Sequence, residues 1–337
     1  MTTVILIILL IALVLYVVLG GADFGAGIWE FNTAFRSNER ERELLYHAIG
    51  PVWETNHVWL IFIMVLLFGA FPPAFAAMNE ALFLPLMLAL IGIVFRGAAY
   101  AFRSQLKLAE TKRLEHLSRA SVVLFGLSSV LAPFFLGASV GALASGELGF
   151  NSAKEFTGSF LTDWIDSFSI FCGFFTVGLC AYTSSTYMIR EARSSQLDAI
   201  ENIWRKRSLF VGSLLGGFAV FGLVLAATKY PVLWEGLKTR GWPAIGLSMF
   251  LGFLSLWLIH RRKINASVIC VSGTCATVVV GWGLAQYPFL VPLVWSVQDA
   301  ASPPSVLRLL LWTIGIGSCI LLPALLLLFK IFKSDEQ

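Results

Sequence analysis

Gly50-Pro51-Val52-Trp53-Glu54-Thr55-Asn56-His57-Val58-Trp59-Leu60 sets a carboxylate, an amide and an imidazole at the mouth of an apolar run that continues to Ala70. From Val58 onward the residues suit hydrocarbon, so Glu54, Asn56 and His57 are expected at the end of a membrane helix or one turn inside it. An unpaired charge at that depth costs about 2.5 kcal/mol or more, so ionisable groups there face a protein interior or a water-filled path. On a helix Glu54 shares a face with Val58, and Trp53 with His57, while Glu54 and Asn56 point about 200° apart. The polar groups therefore need more than one neighbour.

The rest of the chain has the same character. Of its 337 residues 58% are hydrophobic and 13% charged, and the mean hydropathy is +0.81. This is the composition of an all-α, polytopic membrane protein forming one integral-membrane domain, residues 1–337, with no sizeable soluble part and no nucleic-acid partner. Cys172, Cys180, Cys270, Cys275 and Cys319 all fall in apolar stretches, and no two form a C-x-x-C pair. They read as small core residues and not as disulfides or metal ligands. No basic region precedes the first apolar stretch, which reads as a retained span and not a cleaved signal.

Apolar stretches of about 17–25 residues predict nine transmembrane helices, near 3–23, 55–78, 82–101, 120–143, 161–188, 208–228, 242–260, 265–286 and 306–330. Lys and Arg orient them. The segments after the first, third, fifth and seventh spans and the tail after the ninth hold eighteen basic residues, from Arg36 through Arg103, Arg190 and Arg261 to Lys333. The alternate loops hold four: Lys154, Lys229, Lys238 and Arg240. By the positive-inside rule the N-terminus is outside and the C-terminus cytoplasmic. Ser104 to Arg119, charged with leucines spaced through it, reads as a helix lying along the membrane surface.

This orientation gathers the polar membrane residues at one side. Asp23, in Gly20-Gly21-Ala22-Asp23-Phe24-Gly25-Ala26-Gly27, ends the first span near the cytoplasm, among glycines that let another backbone come close. Glu54, Asn56 and His57 begin the second span there. Arg96, Tyr100 and Arg103 end the third, and Tyr182 to Tyr187 end the fifth with a run of hydroxyls. The economical reading is a hydrophilic funnel open to the cytoplasm. Each member also has a structural reading: Asp23 can bond nearby backbone amides, and Arg96 can be the counter-charge that makes Asp23 or Glu54 tolerable. Trp53, Trp59, Trp242, Trp295 and Trp312 fit an aromatic belt at the interfaces, and Asp163, Asp166, Glu80 and Arg308 fit the headgroup region. Bis-histidine haem ligation needs a second histidine at the depth of His57, which the sequence lacks.

Gly21-Ala22-Asp23-Phe24-Gly25-Ala26-Gly27, Pro51-Val52-Trp53-Glu54-Thr55-Asn56-His57-Val58-Trp59-Leu60, Phe95-Arg96 and Arg103-Ser104 together resemble subunit II of the cytochrome bd-type quinol oxidases. The likeness in length, spans and motif order covers nearly the whole chain, with the residue match concentrated in the first 105 positions. Short loops and Glu54 are most similar to the cyanide-insensitive branch.

The resemblance implies nine helices packed as two four-helix bundles plus one peripheral helix, in a heterodimer of the bacterial inner membrane. A haem-bearing subunit I would hold haems b and d and the quinol site, and the complex would oxidise quinol and reduce dioxygen to water. Subunit II would bind no haem or metal, hold no catalytic residue, and contribute a proton path from the cytoplasm. In some members it holds a quinone as structural filling; a small single-helix third subunit is left open. Carried onto this chain, Asp23 and Glu54 match acids of that path, and Trp53, Asn56, Trp59, Arg96 and Arg103 match its surrounding motif. Four positions depart from the pattern: Gly20 and Ala101 stand where many members have acids, Glu54 replaces Asp, and His57 replaces Gln.

Two other classes fit such a chain. A proton-coupled secondary transporter would want its acids near the midplane, in helices interrupted in matching halves. A purely structural partner would use close-packing faces such as Gly212 to Gly217 and would carry no protons.

Overall fold

Lipid offers no partner to a bare peptide group, so so apolar a chain must close its backbone hydrogen bonds within helices. The computed structural model describes residues 1–33, 41, 44–45, 53–106 and 114–334, with side chains for all of these except 32–33, 53–55, 103–106, 114–119, 322, 325–326 and 328–334. The helices are α1 (Thr2–Thr33), α2 (Trp53–Ala70), α3 (Pro72–Ala81), α4 (Phe83–Leu106), α5 (Leu114–Ser145), α6 (Ser167–Ser194) and α7 (Asp198–Lys229). They are followed by α8 (Pro231–Gly236), which runs through one π-helical turn, Leu237–Gly241, into α9 (Trp242–His260), and by α10 (Ile264–Gln286) and α11 (Pro304–Ser334). A short antiparallel hairpin, β1 (Phe289–Val291) and β2 (Trp295–Ser296), precedes α11.

Among the described residues, eight helical stretches are long and apolar enough to cross a membrane, and Asn56–Ala70 is a shorter apolar helix. They pack as the resemblance implied. Helices α1, α2, α4 and α5 form one bundle, with α4 on α5 and α1 against both α2 and α5. Helices α6, α7, α9 and α10 close a second ring in which α6 meets α7 and α10, and α9 meets the same two. The bundles join where α1 and α5 pack on α6. Helix α11 lies at the periphery, touching α2 and the edge of α1. Trp312, at 68% exposure, and Trp242, at 63%, point outward as belt residues would.

Of the boundaries that differ from the sequence reading, three have a local reason. Helix α1 does not end at Asp23 but continues to Thr33, so Asp23 is an interior helical residue and not a terminal cap. The second span does not run to residue 78. It stops at Ala70, because Pro72 and Pro73 lack the amide hydrogens that would extend it, and they open α3 instead. Ser302 closes that end: its amide donates to the Ala70 carbonyl at 2.8 Å and its Oγ to that of Gly69 at 2.8 Å. The fifth span begins at Ser167 and not at 161. Asp166 caps it, accepting from the amides of Phe168 at 2.6 Å and Ser169 at 2.9 Å, while its own amide donates to Ser169 Oγ at 3.1 Å. The surface helix expected over Ser104–Arg119 falls partly on 107–113, outside the described residues; Leu106 ends α4 and Leu114 begins α5.

The loop between α5 and α6 packs on the hairpin, where Lys154 pairs with Asp299 at 3.6 Å and lies over the Trp295 ring at 4.3 Å. That face is the one at which α2 ends. At the opposite end of the bundles Glu41 pairs with Arg207, which stacks on Trp204 at 4.7 Å and Trp29 at 5.4 Å.

Candidate functional site

Asp23 and Arg96 meet inside the first bundle, each 2% exposed. Helix α1 brings the acid and α4 the arginine. The Arg96 Nη2 group donates to the Asp23 carboxylate and, at 2.9 Å, to the Asp23 backbone carbonyl, so one donor group grips both ends of the same residue. The guanidinium lies between two rings, Phe24 at 4.7 Å and Phe125 of α5 at 4.8 Å. Such a sandwich suits arginine, whose flat, weakly hydrated head stacks where an ammonium would lose its water shell. Of the two partners the sequence allowed Arg96, Asp23 is one it takes; the Glu54 side chain lies outside the described residues.

Helix α2 supplies the third side. Asn56 is fully buried beside the Asp23 carboxylate, yet neither amide atom has a hydrogen-bond partner of good geometry among the described residues. The same holds for Asp23 Oδ2, Arg96 Nη1 and the hydroxyls of Tyr16 and Ser184. Buried polar groups without partners cost about 1–3 kcal/mol each, and their gathering around Asp23 makes this the candidate site. His57 is half-buried, its ring edge-on to Phe24 with centroids 6.5 Å apart, and near enough to Asp23 for their charges to interact.

The remaining residues of the sequence reading fall around this centre or apart from it. Tyr100 is half-buried, its ring 6.4 Å from that of Phe125, the residue that also covers Arg96. Trp59 packs edge-on to Phe62 at 6.4 Å, in the cluster that holds Tyr16, Phe24 and Ile63. The side chains of Trp53, Glu54 and Arg103 lie outside the described part of the structure; their backbones continue α2 and α4. Four of the α6 hydroxyls of the sequence reading are engaged in bonds within and between helices. Tyr182 bonds Ser255 at 2.7 Å, Thr186 bonds Ser208 at 3.0 Å, and Thr183 and Ser185 donate to their own helix. They staple α6 to α7 and α9, and Ser184 alone of Thr183 to Thr186 lacks a partner.

Sequence reasoning missed Tyr16, Glu30, Phe125 and Ser129, all buried around the pair. Tyr16 and Glu30 had a legible signal: each is seven residues from Asp23, hence on its face of the helix. His57 and His260 are the histidines whose side chains are described; His260 is exposed at the end of α9, and His57 lies edge-on to Phe24 beside the Asp23 carboxylate. No group of three or more His, Cys, Asp or Glu converges among the described residues.

Fold and site together define a helical membrane protein of two joined bundles with a buried acid–arginine pair at the core of the first. Residues 1–332 match the family model for cytochrome bd terminal oxidase subunit II, and the chain belongs to that family. It is 23% identical over 357 residues to the cytochrome bd-I ubiquinol oxidase subunit 2 of Escherichia coli K12, a match covering 94% of this chain and 89% of that one. It is 22% identical over 332 residues to a putative cytochrome bd menaquinol oxidase subunit II of Bacillus subtilis, covering 96% and 93%. In fold it is similar to the bd oxidase from Geobacillus thermodenitrificans, with a TM-score of 0.74, 19% identity and 98% of each chain covered. The chain is thus a multi-pass protein of the bacterial inner membrane and a subunit of an oxidoreductase complex.

Proposed function

We propose that this chain is the haem-free subunit II of a quinol-oxidising, dioxygen-reducing complex, and that it carries protons from the cytoplasm past Asp23 toward the haem-bearing subunit I. Haems b and d belong to that partner and supply the electron transfer. Relatives named for ubiquinol and for menaquinol fix the reductant only as a quinol. Each electron delivered to oxygen at a buried centre builds negative charge in low dielectric and has to be matched by a proton.

One observation supports the reading above the others: a buried carboxylate is held by one arginine with Asn56 beside it, while the Tyr16 hydroxyl and Arg96 Nη1 have no hydrogen-bond partner among the described residues. A site built for packing alone would satisfy these groups or replace them with apolar ones. Asp23 takes up a proton on the free carboxylate oxygen, Arg96 sets how readily it does so, and Asn56 and His57 orient the waters through which the proton arrives. Glu54, on the same helix as Asn56, is the second acid of the reading.

Asp23→Asn and Glu54→Gln test it in the purified complex: with full haem content, oxygen consumption falls in both, and wild-type rates in both would remove the proton-carrying role. A second reading, a scaffold without proton traffic, is favoured by the α6 hydroxyls, which are spent on joining helices. In that case the two variants differ from wild type in stability and not in turnover.

A further inference from the structure

Helix α1 carries another buried acid. Glu30 has no exposed surface and stands seven residues beyond Asp23, and Tyr16, 7% exposed, stands seven residues before it. Seven residues turn an α-helix through about 700° and advance it by about 10.5 Å, so the three side chains follow one another along one face. Arg96 is close enough to Tyr16 and to Glu30, as well as to Asp23, for its charge to act on all three.

The interval between the acids holds a hydroxyl from another helix. Gly27 lies on the same face, and a Cβ there would overlap Ser129 Oγ of α5, so the missing side chain is what admits that oxygen to the face of α1. Ser129 is fully buried and donates to the Phe125 carbonyl at 2.6 Å, which leaves its oxygen lone pairs to accept. On the far side of Asp23, Gly20 keeps the face open: a Cβ there meets only the rings of Phe24 and Tyr16, at 3.7–3.9 Å. The Tyr16 hydroxyl closes this stretch without a hydrogen-bond partner among the described residues.

We infer that Glu30 is a proton-transferring residue ahead of Asp23, and that the route follows the face of α1 from Glu30 past the Ser129 hydroxyl to Asp23 and on to Tyr16. This rests on the reading of Asp23 as a proton carrier. The Glu30 carboxylate takes a proton from the Lys- and Arg-rich side and becomes neutral. It passes the proton to the Ser129 oxygen, directly or through water, as the Ser129 proton moves on to the Asp23 carboxylate. Glu30 is then again a carboxylate and Ser129 again a neutral hydroxyl.

The test uses the purified oxidase complex with its haem-bearing partner. Glu30→Gln and Ser129→Ala are compared with Asp23→Asn for haem content, oxygen consumption and the ratio of rates in H2O and D2O. Glu30→Gln slows turnover roughly tenfold at full haem content and raises the solvent isotope effect, as loss of a proton-transferring group does; Glu30→Asp restores most of the rate. Ser129→Ala shifts both quantities in the same direction by a smaller factor. A packing role for Glu30 would lower haem content and leave the isotope effect unchanged. Wild-type rate and isotope effect in either assembled variant, Glu30→Gln or Ser129→Ala, overturn the inference. If Asp23→Asn is slow while both of these are normal, only the inference falls; if Asp23→Asn is itself normal, the proton-carrying reading falls with it.

Discussion

Arg96 holds Asp23 by its carboxylate and by its backbone carbonyl at once, from a slot between the rings of Phe24 and Phe125. The contact to the main chain makes the arginine a structural clasp between α4 and α1, whatever charge the carboxylate carries. Protonating Asp23 removes the ionic part of the contact and leaves the carbonyl bond and the stacking in place, so the carboxylate can change charge without the helices parting.

Removing one member of the pair therefore has unequal effects. Arg96→Leu strands a buried carboxylate and is expected to cost about 3–5 kcal/mol, seen as loss of assembled complex and of haem content. Asp23→Asn keeps an acceptor for the guanidinium and costs less. In a double-mutant cycle on thermal unfolding of the complex, Arg96→Leu combined with Asp23→Leu falls well short of the sum of the single changes.

Arg96→Lys tests the stacking. A lysine keeps the charge and loses the flat surface between Phe24 and Phe125. The expected result is a complex destabilised by about 1–3 kcal/mol, with a changed turnover that Arg96→Gln does not reproduce. Equal behaviour of the two variants would mean that the charge contributes nothing once the stacking is lost.

The glycines of α1 should separate by what faces them. Gly27→Ala drives a methyl into Ser129 and is expected to cost about 1–3 kcal/mol; Gly20→Ala, whose methyl would be in ordinary contact with rings of its own helix, should be close to neutral. Yield and melting temperature of the two complexes decide this. Gly20→Asp is expected to assemble as well, since the same opening receives it.

Asp166 provides a control remote from the site. Its carboxylate caps α6 and accepts from the Tyr230 hydroxyl at 3.0 Å, tying the start of α6 to the end of α7. Asp166→Ala should lower stability by about 0.5–2 kcal/mol and leave turnover per haem unchanged. A loss of turnover at constant haem content would give this acid a part in the reaction that its contacts do not suggest.

The meeting of Asp23 with Arg96 was legible because few residues are polar and each charge in an apolar stretch demands a partner; the two bundles were legible only through the resemblance. Where the reading strayed, it set a membrane boundary by hydropathy alone. Ending the first span at residue 23 placed Glu30 in a connector, when α1 continues to Thr33 and buries it. Pro72-Pro73 announced the turn after Ala70, but the apolar residues beyond them carried the expected span to 78. The α6 hydroxyls were grouped by type as a wet lining; their partners, Ser208 and Ser255, come from helices whose proximity no local pattern reveals. Phe125 and Ser129 are ordinary residues of an apolar helix, and only the packing of α5 against α1 gives them their place.

Proton uptake by the fully reduced complex on mixing with dioxygen, followed with a pH indicator alongside haem oxidation, tests the central claim most directly. In Asp23→Asn with full haem content, uptake and the oxidation steps coupled to it are predicted to slow together by roughly tenfold. Uptake at the wild-type rate in that variant would contradict the account and leave Asp23 and Arg96 as a clasp between helices.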